Sequence, residues 1–223
     1  MQLRAIVFDL DGTLIDSKIE YDKIAARVRC LLEEEGVPSG QLEDRRKVYS
    51  VIQSGKKALI GFNIKTERIA LLLKLIEKAM NEVELEGVHL SKPMPGLYET
   101  LTELKHRGIS IGIATRGCHE YAIRSLELVG ITDYIDMMLA RDDVPYPKPD
   151  PRHLLEVINH LGATKDTAIY IGDSPTDLKT AEDAGVSFIG YRRSIEWGKR
   201  LTEAGCTRMV EALPDVIDIV EVK

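Results

Sequence analysis

The stretch RAIVFDLDGTLIDS, residues 4–17, runs an apolar segment straight into two carboxylates, Asp9 and Asp11, followed by Gly12 and Thr13. Residues i and i+2 of an extended chain project to the same side, so these two acids can face one small volume. Asp173 follows a second apolar run, AIYI (168–171), after a single glycine, and Asp177 lies four residues further on. Two carboxylates about 4 Å apart repel by roughly 4 kcal/mol at an effective dielectric of about 20. Such a cluster must hold protons or hold a cation. Oxygen-only donors with no neighbouring histidine or cysteine point to a hard cation that keeps several waters, hence Mg²⁺. Phosphoryl groups are the usual substrates of a site of this kind.

Other polar residues also follow apolar runs. Thr115 and Arg116 come after ISIGIA (109–114), and a loop after IDMMLA (135–140) carries Asp142, Asp143 and Lys148 among four prolines. Each has a plainer reading when taken alone. Asp11-Gly12 can make a turn, Gly172-Asp173 or Thr115 can cap a helix, and Lys148 can be a solvated loop lysine. It is their joint occurrence, in order and at the ends of apolar runs, that points to a site.

The elements that would position them are legible. AIVF (5–8), ISIGIA, IDMMLA, AIYI and SFIGY (187–191) are of strand length, and from residue 109 onward amphipathic helical patterns separate them. Leu97, Leu101 and Leu104 share a helix face before Gly108. Ala122, Ile123, Leu126 and Val129 do so before Gly130, Leu154, Leu155, Ile158 and Leu161 before Gly162, and Leu178 and Ala181 before Gly185. Continuous apolar strands alternating with such helices predict an α/β fold, a doubly wound parallel sheet covered on both faces. In an open sheet of that kind, ligands bind beyond the carboxyl ends of the strands, which is where the polar residues fall.

One region breaks the alternation. Between Asp16 and about Lys92 only helical stripes occur: Ile24, Val28, Leu31 and Leu32; Val48, Val51 and Ile52; and Ile69 to Val83 after Thr66 as the expected N-cap. We expect a Rossmann-like core over 1–15 and 94–223, with an all-helical domain inserted at 16–93.

Composition narrows the class. With 44% hydrophobic and 30% charged residues, 223 residues can close a core. The net charge of −6, with Lys and Arg spread along the chain, gives no nucleic-acid stripe. Cys30, Cys118 and Cys206 are too scattered for a metal site and odd in number, as expected of reduced thiols in the cytoplasm. No apolar run approaches the roughly 18 residues of a membrane span. A cytoplasmic protein acting on a small substrate, with no nucleic acid and no membrane, is the expectation.

DLDGT (9–13) followed by GDSPTD (172–177) resembles the phosphatase branch of the haloacid dehalogenase-like superfamily. That family's other two motifs, a Ser/Thr at a second strand end and a lysine in a Lys-Pro loop, are matched by Thr115 and by Lys148 in KPDP (148–151). The resemblance implies that Asp9 is the nucleophile that becomes an aspartyl-phosphate. It implies that Asp11 is the general acid and then the general base. Mg²⁺ would be held by Asp9, the Asp11 carbonyl and Asp173, with Asp177 supporting either Lys148 or the metal. Thr115 and Lys148 would grip the phosphoryl oxygens. Dehalogenases of the superfamily lack an acid at the Asp11 position, so phosphoester chemistry is favoured.

Arg116 departs from the asparagine common at that position in the phosphatase branch. It implies either a contact to a second anionic group of the substrate or a structural ion pair. The inserted helices match the family's cap, so a small phosphorylated metabolite is implied, with phosphoglycolate-like substrates nearest. A monomer or a homodimer fits equally. Two alternatives share these motifs: a sugar-phosphate mutase of the same superfamily, and a non-catalytic metal-binding protein that kept the fold.

Overall fold

The computed structural model describes residues 2–42 and 48–221. Its strands are β1 (Ala5–Phe8), β2 (Ile15–Asp16), β3 (Lys92–Pro93), β4 (Ser110–Ala114), β5 (Met137–Leu139), β6 (Ala168–Gly172), β7 (Ser187–Tyr191) and β8 (Met209–Val210). Its helices are α1 (Tyr21–Glu34), α2 (Val48–Gly61), α3 (Thr66–Gly87), α4 (Leu97–His106), α5 (His119–Leu128), α6 (Pro151–His160), α7 (Pro175–Ala184), α8 (Ile195–Glu203) and α9 (Asp215–Glu221). The chain divides into two compact units, one of Met1–Ser17 with His89–Lys223 and one of Lys18–Val88.

The first unit holds a six-stranded sheet in the order β5-β4-β1-β6-β7-β8, every neighbouring pair parallel. The expected α/β class is borne out. β1 is central and all four of its residues are fully buried, as an apolar run covered on both faces requires. Ala5 and Val7 share a core with Leu154 and Val157 of α6 and Ala181 and Ala184 of α7. Ile6 and Phe8 alternate to the opposite face.

Register is what aligns the site. Phe8 lies opposite Ile113 of β4 and Ile171 of β6, so Asp9, Ala114 and Gly172 leave the sheet at one level. The Asp9 amide still donates to the Ile171 carbonyl at 2.8 Å, which fixes the first carboxylate before the chain turns away.

Three details differ from the sequence reading. β5 covers only 137–139 of the expected 135–140, because a 3-10 turn at Thr132–Tyr134 runs up to Ile135. β8 is too short to leave a periodic pattern. Thr66 is the first residue of α3 rather than its cap: the Lys65 carbonyl accepts from Arg68 and Ile69, so the helical ladder begins one residue earlier. The four glycine stops all adopt the left-handed conformation, with φ of 65–68°.

The described residues of the second unit form helices joined by turns, with no strand among them. Ile24, Val28 and Leu32 of α1, Val51 and Leu59 of α2, and Ile69, Leu72, Ile76 and Val83 of α3 form its core. Burying each such side chain contributes about 1.5–3 kcal/mol, so these stripes support a core of their own. A Cβ at Gly55 would come within 2.5 Å of Leu32, so the close approach of α2 to α1 depends on that glycine. Among the described residues, no helix is long and apolar enough to cross a membrane.

Candidate active site

After β1 the chain folds back on itself, with Leu14 and Ile15 amides donating to Leu10 and the Gly12 amide donating to Ile15. Gly12 has φ of +85°, and a Cβ there would lie 2.3 Å from Asp173 Oδ2. Both the turn and the packing therefore demand glycine. Asp9, Thr115, Lys148, Asp173 and Asp177 are all buried, and the structure brings most of them into one network.

Lys148 is the hub and is 2% exposed, so the solvated-lysine alternative is excluded. Its Nζ donates to Asp9 Oδ1, Asp177 Oδ1 and the Tyr170 hydroxyl, each at 2.7 Å. Burial works against its charge, but Asp177 and Asp9 overcome that and hold its pKa above the ordinary lysine value. Asp177 is fully engaged. Oδ1 accepts from Lys148 and from Tyr170 (2.7 Å), and Oδ2 from the Ser174 hydroxyl (2.5 Å) and amide (3.2 Å). Burial would raise its pKa, but Lys148 and these hydrogen bonds hold it below the usual carboxylate range. Of the two roles open to Asp177, its hydrogen bonds serve Lys148. They also make a capping box with Ser174, so Ser174 caps α7 and Asp173 is left free of that duty.

Asp173 Oδ2 accepts from Arg193 Nε at 2.7 Å. Burial raises the Asp173 pKa to about 7, assisted by Asp177 and opposed by Arg193. Burial also raises Asp9 well above the carboxylate range, more than Lys148 can offset. Oxygens of Asp9, Asp173 and Asp177 lie within 4.8 Å of one another. The donor set is all oxygen, and when fully ionised the four carboxylates (Asp9, Asp11, Asp173, Asp177) outnumber the two cations (Lys148, Arg193) by two charges. Without a cation that excess favours protons on Asp9 and Asp173; a hard divalent cation would balance it instead. Because Asp177 is committed elsewhere, Asp9 and Asp173 are the side chains suited to ligate it.

Asp11 lies outside that oxygen group. Its Oδ1 accepts from the Tyr121 hydroxyl at 2.5 Å, and Thr115 Oγ1 stands 3.5 Å from its Oδ2. Thr115 does not cap α5, whose N-cap is Cys118; its Oγ1 instead accepts from the Gly117 amide at 3.0 Å. Arg116 is exposed, and its guanidinium makes no ion pair among the described residues, so the structural-ion-pair alternative finds no partner. His119 pairs with Asp143 (2.9 Å), and Trp197 stacks against the guanidinium groups of Arg193 and Arg200.

Five further residues build the site without standing out in the sequence: Tyr121, His153, Tyr170, Ser174 and Arg193. Tyr170 is the one polar-tipped residue in AIYI, a faint signal. His153 had none. It accepts from the Lys148 amide at Nδ1 (3.2 Å), which leaves Nε2–H to donate to the Leu139 carbonyl (3.0 Å) and pins the lysine loop to the end of β5.

Burial first, and the Lys148 charge second, push the His153 pKa down to about 4. The unfolded chain then takes up this proton first, near pH 6.5. Stability carried by neutral His153 is present above that pH and is lost as pH falls toward 4. Urea unfolding at pH 7 and pH 5 checks this. The wild type loses about 2 kcal/mol more between the two than a His153→Gln variant does; equal losses would remove the role.

Comparison with known proteins agrees with the geometry. The haloacid dehalogenase-like hydrolase family matches residues 6–191. Pyrophosphatase PpaX of Halalkalibacterium halodurans is 29% identical, covering 100% of this chain and 99% of its own. Phosphoglycolate phosphatase 1 of Pseudomonas aeruginosa is 27% identical over 96% of this chain and 78% of its own. A crystal structure described as a predicted phosphoglycolate phosphatase from Haemophilus somnus superposes with a TM-score of 0.68 at 20% identity, covering 98% of both chains, and so shares the fold. Matched from β1 to the end of β7, and with relatives named as phosphatases along its length, the chain belongs to the haloacid dehalogenase-like hydrolases.

Proposed function

We propose that this protein is a Mg²⁺-dependent phosphatase that hydrolyses a small phosphomonoester through an aspartyl-phosphate on Asp9. One observation carries the reading. Asp9 sits buried at the end of the central strand with Oδ1 held by Lys148, while Oδ2 accepts no hydrogen bond among the described residues. That oxygen is oriented yet available to attack phosphorus.

When bound between Asp9 and Asp173, Mg²⁺ would neutralise charge on the phosphoryl oxygens. This chain's residues do the rest. Asp9 attacks, and Asp11 protonates the departing ester oxygen and then takes a proton from the water that hydrolyses the acyl phosphate. Lys148, through its charge, since its three N–H donors are taken by Asp9, Asp177 and Tyr170, and Thr115, through its hydroxyl, steady the transferring oxygens. We read the inserted helical unit, expected at 16–93 and delimited in the structure as Lys18–Val88, as a substrate-selecting cap.

The test is release of inorganic phosphate from an aryl phosphate. Activity is expected with Mg²⁺, is lost on adding EDTA, and returns with excess Mg²⁺. Phosphoryl groups returned to a sugar rather than to water would make the protein a mutase. No turnover by the wild type would make it a binding protein.

Substrate class follows from Arg116. Phosphoglycolate and pyrophosphate, named for the relatives, both carry a second anionic group beside the reacting phosphoryl. An exposed guanidinium without an ion pair, next to Thr115, suits such a group. Arg116→Asn is expected to raise KM for phosphoglycolate about tenfold, the worth of one charge-assisted contact, and to leave KM for an aryl phosphate unchanged. Equal KM values for both proteins on both substrates would remove Arg116 from recognition.

A further inference from the structure

We propose that Tyr121 is a positioning residue for Asp11: its hydroxyl holds Oδ1 and thereby turns Oδ2 toward the ester oxygen that must be protonated. The inference rests on the aspartyl-phosphate reading and deepens it.

The geometry is built rather than incidental. Tyr121 is fully buried in the first turn of α5 and donates to Asp11 Oδ1 at 2.5 Å. Its ring lies against the backbone at Gly117, where a Cβ would come within 2.7 Å of Cδ1 and 3.1 Å of Cε1. The motif residue Thr115 therefore sits on the same loop as the glycine that admits the ring. Asp11, by contrast, is only half-buried and follows β1 at the start of a tight turn, where a short side chain has alternative rotamers. A hydroxyl delivered by a rigid, buried ring selects one of them. Thr115 is too distant, at 3.5 Å, to do this by itself.

In the first step, a bond forms between Asp9 oxygen and phosphorus as the phosphorus–ester bond breaks. The electron pair stays on the ester oxygen, which takes the proton from Asp11 Oδ2. The carboxylate left behind keeps the Tyr121 hydrogen bond at Oδ1. Loss of the hydroxyl should therefore matter in proportion to how much the leaving oxygen needs that proton.

Tyr121→Phe tests this, since it keeps the ring, the volume and the Gly117 contact. The readout is kcat/KM, which reports the step that expels the leaving group. For an alkyl phosphomonoester it is expected to fall about 10–100-fold, the range of a general-acid contribution. For dinitrophenyl phosphate, whose leaving group needs no proton, it should change by less than about threefold. In an Asp11→Asn background the same substitution should add nothing for the alkyl ester, because both changes act through one group. Equal losses for the two substrates, no loss for either, or a full additive loss in the Asp11→Asn background would overturn the positioning role while leaving the phosphatase reading intact. A wild type without activity toward either substrate overturns both together.

Discussion

Asp9→Asn is expected to abolish turnover of an aryl phosphate, by at least about a thousandfold, and to raise the thermal midpoint of the metal-free protein. The first effect would follow from removing the proposed nucleophile, which the remaining groups cannot replace. The second follows from the charge balance of the site. Burial lifts the Asp9 pKa well above that of the unfolded chain despite Lys148. A folded-state pKa above the unfolded value means that the folded protein binds this proton more readily. The ionised form therefore costs stability at neutral pH, and the cost diminishes as pH falls toward the unfolded carboxylate range. Asparagine removes the charge while Lys148 keeps its bonds to Asp177 and Tyr170. Relief of that cost should raise the midpoint, each kcal/mol being worth roughly 2–4 °C in a chain of this size. Saturating Mg²⁺ should narrow or reverse the difference, because the ion stabilises the wild type more. Phosphate release with and without Mg²⁺, together with melting in EDTA, checks both halves. Turnover that survives in the variant would refute the nucleophile.

Lys148→Met should do the opposite to stability and the same to activity. Methionine has similar length but leaves Asp9 and Asp177 buried and facing one another without their shared cation. Removing one partner of a buried ion pair costs about 3–5 kcal/mol, which is a fall of roughly 6–20 °C in EDTA. The rate should fall about 100–1,000-fold, the scale for losing one group that meets developing charge. Adding Asp177→Asn separates the two roles. The double variant removes the buried negative charge that lost its partner, so much of the midpoint should return while the rate stays low. A double variant no more stable than Lys148→Met would show that hydrogen bonding by Asp177, rather than its charge, holds the loop.

The two substitutions also show how the network divides its work. Asp177, Tyr170 and His153 hold Lys148 at its amide and its ammonium group. Lys148 in turn holds one oxygen of Asp9. Lys148 is thus positioned by side chains that never meet the substrate in the proposed reaction.

How much of this was legible from residues alone depends on whether the cause was local. β1 could be read from Ala5–Phe8 because a strand buried on both faces must be apolar throughout, and its carboxylates because i, i+2 spacing repeats in any extended chain. Helix ends could be read where glycine must turn left-handed, as at Gly108 and Gly185. The convergence of Asp9 with Asp173 was implied by parallel pairing, which brings all strand ends to one edge. Partnerships between side chains are another matter, because they depend on register and rotamer across distant segments. Nothing in a lone tyrosine at 121 says that its hydroxyl reaches Asp11, 110 residues away. Nothing in the Arg192-Arg193 pair says that the second engages Asp173 while the first pairs with Glu211. Sequence thus determined which groups gather at the sheet edge, through periodicity and strand order. Only the folded packing decided which oxygen each donor occupies, and hence that Asp177 serves Lys148 while Asp9 keeps one oxygen without a hydrogen bond among the described residues.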